Sequence, residues 1–435
     1  MTTRWRDGAD AVTAKRLAPL FVAAFFAFAY NNVFMTLTPT FAVDRGATLA
    51  EGGLQNSLYL AVAVVLRFFV GPLADRVGTK PLLVGGLTAF VAGGVLLPFC
   101  ESFVALAAVR CVQAVGLAAF WPSATTTVAN AATPERQGWW LGLYRFVTSF
   151  SLLLGPVVAF SLVDAFGFEV CFWVMTACAL LALFCVGILR RGDEPPASDW
   201  GALDGMPCGE KAELAAGPGA GRNASAPQRA AQSASSQEAG AVSFPYRLVA
   251  VVVLATFVAA MGYGLMFSFT RSFVAAVDPL MNAGWYFTLL GIGGLVANPV
   301  AGALSDRLSQ GRLLGAWLVC SGVGVALFAA LSLGGTAGDA VAFAVSGVAL
   351  GFGYGGAMTT AQALAAARTT PRHRATVLSL QQNAIDLGIA GASALFGAVF
   401  AALGAASVVP FVVQGAVVAA FGLALVVVPA RRQCP

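Results

Sequence analysis

A single aspartate, Asp386, stands deep inside a long apolar run, with Ser379, Gln382, Asn383 and Ser393 around it at helical spacing. These residues mark one polar face in an otherwise apolar segment, so that face meets a polar cavity or another helix rather than lipid. A carboxyl in such a place can carry a proton, neutralise a buried arginine or contact a ligand, and the sequence leaves all three open. Arg110 and Arg145 also lie inside apolar runs. Gln113 follows Arg110 by one turn, and Thr148 and Ser149 share a face with Arg145. A buried guanidinium needs a carboxylate, helix carbonyls, water or an anionic ligand. Arg110 and Arg145 are therefore the expected counter-charges for Asp386. Arg67, nearer the end of its run, is expected to snorkel toward the interface.

Other chemistries find no support. The chain has one histidine, His373, and its eight cysteines form no C-x-x-C pair, which argues against metal centres and histidine-based triads. Cys171, Cys178 and Cys185 share a helix face and read as small packing residues. No Gly-x-x-x-x-Gly-Lys-Ser/Thr loop is present, so coupling to ATP within this chain is not expected. No cofactor and no enzymatic activity are expected, and a formal charge of +5 is too small to suggest a nucleic-acid partner.

The elements that must position these groups are helices in a bilayer. Of 435 residues, 58% are hydrophobic and 10% charged, against about 25% charged in an average soluble domain. Mean hydropathy is +0.80. Apolar runs occur at about 17–40, 53–74, 81–99, 103–128, 138–162 and 169–189, then at about 246–275, 283–304, 313–333, 338–366, 374–403 and 406–429. Each is long enough to cross the hydrocarbon core as a helix. The first run lacks a small-residue cleavage site and is expected to stay as a membrane helix. This predicts an all-α membrane protein of twelve transmembrane helices in two six-helix bundles. The organisation is an N-terminal tail at 1–16, a bundle at 17–189, a linker at 190–245, a second bundle at 246–429 and a C-terminal tail at 430–435. The linker carries Pro195-Pro196, Gly217-Pro218-Gly219 and Ser233-Ala234-Ser235-Ser236 and few large apolar residues, so it reads as disordered. Its Asn223-Ala224-Ser225 is a glycosylation pattern that the topology below discounts.

Arginine and lysine set the orientation. They concentrate in the N-terminal tail, the even-numbered turns, the linker and the C-terminal tail, whereas the opposite turns hold Asp44, Glu51, Glu101, Asp164, Glu169, Asp278 and Asp339. Both termini and the linker are therefore expected in the cytoplasm, in an inner membrane. The chain also repeats itself. Gly71-Pro72-Leu73-Ala74-Asp75-Arg76 follows span 2, and Gly302-Ala303-Leu304-Ser305-Asp306-Arg307 follows span 8. Thr133-Pro134-Glu135-Arg136 before span 5 is echoed by Thr370-Pro371-Arg372-His373 before span 11 at nearly the same offset. Two parallel six-helix repeats account for both.

The stretch Gly71-Pro72-Leu73-Ala74-Asp75-Arg76-Val77-Gly78-Thr79-Lys80 resembles the loop 2–3 signature of the major facilitator superfamily, G-x-L-A-D-R-x-G-R/K-R/K, with Thr79 departing from the basic end. In the second copy Ser309 replaces the glycine while Asp306-Arg307 persists. Arg110-Cys111-Val112-Gln113-Ala114-Val115-Gly116 resembles the span 4 motif R-x-x-Q-G-x-G. Gly155-Pro156 is similar to the antiporter motif of span 5, without its following glycine pair. Gly351-Phe352-Gly353-Tyr354-Gly355 through Asp386-Leu387-Gly388-Ile389-Ala390 looks like the bacterial small-metabolite and drug efflux branch.

The resemblance implies alternating access between two bundles. It implies a gate of Gly71, Asp75, Arg76, Gly78, Lys80, Asp306 and Arg307, in which Asp75 meets the start of span 11 and Asp306 meets span 5 when the inside is closed. It also implies a cavity lined by spans 1, 4, 7 and 10. The polar or aromatic candidates there are Asn31 and Asn32, then Gln113 and Trp121, then Tyr263, then Tyr354, Thr359 and Gln362, with Gln382 from span 11. The expected activity is proton-coupled export of a small organic molecule by a monomer in a lipid bilayer. The alternatives are import or exchange of an organic anion, motivated by Arg110, Arg145 and the missing glycine pair, and a non-transporting sensor on the same scaffold.

Overall fold

The structure is a computed structural model and describes residues 2–47, 49–189, 246–277, 281, 283–332, 336–404 and 406–427. Side chains at 2–11, 49–50, 52–53, 152, 155–157, 159–160, 332 and 336–337 are outside that description. The linker, the C-terminal tail and the side chains of the Gly155-Pro156 motif therefore lie beyond it.

Every regular element among the described residues is helical. The first half comprises α1 (Thr2–Asp44), α2 (Leu49–Val77), α3 (Thr79–Leu96) and α4 (Phe103–Ala131), followed by a helical stretch Gln137–Ile188. That stretch is broken at Gly167, whose φ of 83° and ψ of 171° are not helical, giving α5 over 137–166 and α6 over 168–188. The second half comprises α7 (Tyr246–Val277), α8 (Gly284–Ser305), α9 (Gln310–Leu327), α10 (Thr336–Arg368), α11 (Pro371–Leu403) and α12 (Val409–Val427). Eleven helical segments among the described residues are long and apolar enough to cross a membrane, and α5 is the remaining long helix of the twelve expected. In a bilayer the helix satisfies every backbone polar group internally, which is why these apolar runs adopt no other form. Large apolar side chains such as Phe69, Phe99, Val104 and Phe184 point outward, as a lipid-facing surface requires.

Each half has its own interior. The first is filled by Phe34, Phe90, Phe120 and Phe172, and the second by Phe273, Tyr286, Phe328 and Phe411. Close helix contacts use small residues, as in other membrane bundles. Gly315 and Gly322 of α9 face Gly422 and Gly415 of α12 so closely that an added Cβ would meet backbone oxygen at 2.5–2.6 Å. Between the halves, α2 runs along α11 and α5 along α8. These two seams position the site.

Candidate functional site

Each seam is tied by hydrogen bonds beside a turn, the α2–α3 turn in one and the α8–α9 turn in the other. Asp75, near the end of α2, accepts hydrogen bonds from the backbone N–H groups of Ala375 and Thr376 at 2.9 and 3.0 Å and from Thr376 Oγ1 at 2.5 Å. In the second repeat, Asp306 accepts from the N–H groups of Gly138 and Trp139 at 2.6 and 2.8 Å. Those two N–H groups belong to the first turn of α5, where no intrahelical acceptor exists and the helix end carries partial positive charge. Burial raises the Asp306 carboxyl above its ordinary pKa, and the two N–H bonds oppose that rise. Both contacts depend on glycine. A Cβ at Gly71 would come within 2.9 Å of Thr376, and one at Gly302 would collide with Gly138.

The rest of the sequence motif divides. Lys80 donates to the carbonyls of Gly187 and Leu189, tying the start of α3 to the end of α6. Gly78 forms the one-residue turn between α2 and α3. Arg76 and Arg307 are exposed. Arg374, outside the motif, crosses the seam to Asn130 Oδ1 at 2.5 Å.

Deeper in the same seam, Asp386 of α11 is ion-paired with Arg67 of α2. This corrects two sequence-based expectations. Arg67 does not snorkel: it is 1% exposed. Neither Arg110 nor Arg145 pairs with Asp386. The polar stripe on α11 also splits. Asn383 donates to the Val64 carbonyl of α2 at 3.2 Å, whereas Ser393 hydrogen-bonds Ser268 of α7 at 2.7 Å. Gln382 donates to Asp386 Oδ1 at 3.3 Å.

Arg110 is buried in a network within the first half. It donates to Gln113 Oε1 at 2.7 Å and Asn56 Oδ1 at 2.8 Å, and its guanidinium lies 3.9 Å from the Tyr59 ring centroid. Gln113 in turn donates to Tyr30, and Tyr59 donates to Asn31. The ring face and the oxygen dipoles stabilise the cation in place of a carboxylate. Arg110, Gln113 and Asn31 therefore do not reach the central cavity.

That cavity has a volume of about 180 Å³ and lies between the halves. Of the sequence-derived candidates it is lined by Asn32, Trp121, Tyr354, Gln362 and Gln382, together with Arg145. Tyr263 instead backs Tyr354, with ring centroids 4.5 Å apart. Thr359 is occupied by Asn298, which accepts at 3.0 Å while its amide donates to Ser149 at 2.9 Å. Sequence reasoning missed the contribution of α5 to the wall: Tyr144, Thr148 and Ser149 all line it, as does Phe28 of α1. The signal was present, since these polar residues surround Arg145 at helical spacing. Arg67 carried a weaker one, a lone cation within a run of Val, Leu and Phe.

Comparison with known proteins places this geometry in a family. A sequence profile of the Major Facilitator Superfamily matches residues 20–277 and 252–433. The chain is 28% identical over 319 residues to the multidrug resistance protein B homolog of Mycobacterium tuberculosis, covering 66% of this chain and 58% of that protein. It is 27% identical over 172 residues to the multidrug resistance protein MdtL of Escherichia coli, covering 39% of this chain and 44% of that one. The chain thus spans only about half the length of these relatives. Solved structures share its fold, two of them as follows. The human organic anion transporter MFSD10 has a TM-score of 0.69 at 14% identity, covering 95% of this chain and 99% of that one. FucP in its outward conformation has a TM-score of 0.68 at 16% identity, covering 93% and 97%. With matching segments over both halves, this membrane-embedded chain of paired helical bundles belongs to the major facilitator superfamily of transporters.

Proposed function

We propose that the protein exports a small organic molecule by alternating access driven by protons, with the α2–α3 and α8–α9 turns on the cytoplasmic side. The observation that carries this reading is the Arg67–Asp386 pair across the seam, with Gln382 joining Asp386 to the cavity wall. The distribution of arginine and lysine supports the orientation, and two relatives named as multidrug resistance proteins support efflux.

The chemistry follows from charge. Arg67 belongs to one half and Asp386 to the other, so separation of the halves along this seam parts them. A buried carboxylate without its cation is costly, and taking up a proton removes that cost. A proton on Asp386 likewise removes the attraction that holds Arg67. Proton binding and movement of the halves then oppose or favour one another by their differential free energy, which is the condition for coupling. Asp75 and Asp306 bias the same equilibrium, since each accepts helix N–H bonds only while that side is closed.

Asp386→Asn tests the reading. Wild-type and mutant protein are placed in liposomes under an imposed pH gradient and offered ethidium, benzoate and benzyl alcohol as cationic, anionic and neutral probes. The expected outcome is loss of uphill movement with retained downhill exchange. Uphill movement with unchanged pH dependence in the mutant would move coupling away from Asp386. Reversing the gradient separates export from import.

A further inference from the structure

We propose that the central cavity receives a small organic anion with a flat apolar body, its acidic group held by Arg145 and a hydrogen-bond donor on it met by Gln362. This rests on reading the cavity as the substrate site and adds the class of molecule it takes.

Among the described residues, Arg145 is the only charged one in the cavity wall. Among the described residues it has no ion pair, and its Nε, like those of Arg67 and Arg110, has no hydrogen-bond partner, so what sets it apart is the lack of a counter-charge at a cavity wall. The other two deep arginines are provided for, Arg67 by Asp386 and Arg110 by Asn56, Gln113 and the Tyr59 ring. A desolvated guanidinium with open donors is a receptor for a planar carboxylate. In the same wall the Asn32 amide nitrogen and Gln362 Oε1 are among the buried polar atoms without a partner among the described residues. The first can add a donor to the acid, and the second can accept from a hydroxyl or amine. Such unpaired groups discriminate strongly against molecules that leave them unsatisfied.

The remaining wall selects the body. Phe28 and Trp121 are in ring contact, and Tyr354 is braced by Tyr263, so flat faces enclose the polar groups. At about 180 Å³ the cavity is smaller than the roughly 300–1,000 Å³ typical of drug-sized ligands. A one-ring acid bearing a donor fits these terms. A cation would face Arg145 with no carboxylate among the described wall residues to receive it.

The test uses the purified full-length protein and calorimetric titration with 4-hydroxybenzoate, 4-hydroxybenzyl alcohol and 4-hydroxybenzylamine. The acid should bind at least about tenfold more tightly than either analogue. Arg145→Gln should remove that preference while leaving the alcohol unchanged, and Gln362→Leu should remove the preference for 4-hydroxybenzoate over benzoate. Equal or tighter binding of the amine or alcohol to wild type, or binding of none of the three, would overturn the proposal. So would full acid affinity in Arg145→Gln. If that variant does not fold, the wild-type ranking and Gln362→Leu decide the matter. Counterflow of labelled 4-hydroxybenzoate in liposomes separates this inference from the transport reading. Acid binding without counterflow would overturn the transport reading alone, and counterflow of the amine without acid binding would overturn the anion site alone.

Discussion

Arg67 and Asp386 show how one pair can hold two bundles and still be breakable. Arg67 is sealed, while the Asp386 side chain is 14% exposed. Removing one partner of a buried pair leaves the other charge uncompensated, which costs roughly 3–5 kcal/mol when desolvation is complete. Partial exposure of Asp386 places Arg67→Met near the lower end, about 3 kcal/mol. The double variant Arg67→Met/Asp386→Asn should regain most of that loss, because no charge is then stranded. Melting curves of the wild type, both single variants and the double variant close a cycle that isolates the pair. Equal melting of all four proteins would show that the pair carries no stabilising interaction.

At the scale of elements, the two repeats turn corners in the same way. Gly167 between α5 and α6 has φ 83° and ψ 171°, and Gly404 between α11 and α12 has φ 88° and ψ 156°. This region of backbone space is essentially restricted to glycine, and another residue there costs of order 1–3 kcal/mol. Neither position has an atom within 4 Å of an added Cβ, so Gly→Ala would test the backbone alone. Gly167→Ala and Gly404→Ala should each lower stability by about 1–3 kcal/mol. Gly187→Ala provides the control: it has equal room but sits in regular helix, where alanine stabilises by up to about 1 kcal/mol. The melting temperatures of the three variants should therefore move in opposite directions, and a shared direction would contradict the backbone argument.

At the scale of the whole molecule, the Asp75 and Asp306 contacts make one side of the seam a pair of latches. Burial raises the Asp306 pKa while the latch is closed, whereas a separated, hydrated Asp306 returns to its ordinary range. The closed arrangement therefore holds the proton more tightly. By linkage, Asp306 favours closure most at low pH, and its contribution is lost as pH rises through the raised value. Labelling of single cysteines introduced on this side of the seam should increase as pH rises. Asp306→Asn should flatten that part of the dependence while the contribution of other groups persists. An identical pH profile in the variant would exclude Asp306 from the response.

The division between sequence and tertiary structure follows from the range of the forces involved. Twelve helices, the doubling of six and the glycine–aspartate turns were legible because each depends on a run of neighbouring residues: about 20 apolar side chains cross a bilayer only as a helix. Asp386 and Arg145 stood out for the same local reason, as charges within apolar runs. Their partners did not. Arg67 meets Asp386 only because α2 lies along α11, and nothing near Arg67 in the chain records that packing. Arg110 looked equally available, yet Asn56 and Tyr59 of the neighbouring helix occupy it. Asn31 and Asn32 are adjacent in sequence, but the first bonds to Tyr59 and the second faces the cavity. A helix rotates successive residues by about 100°, so the orientation of α1 about its own axis separates them, and that orientation is set by packing against the helices around it.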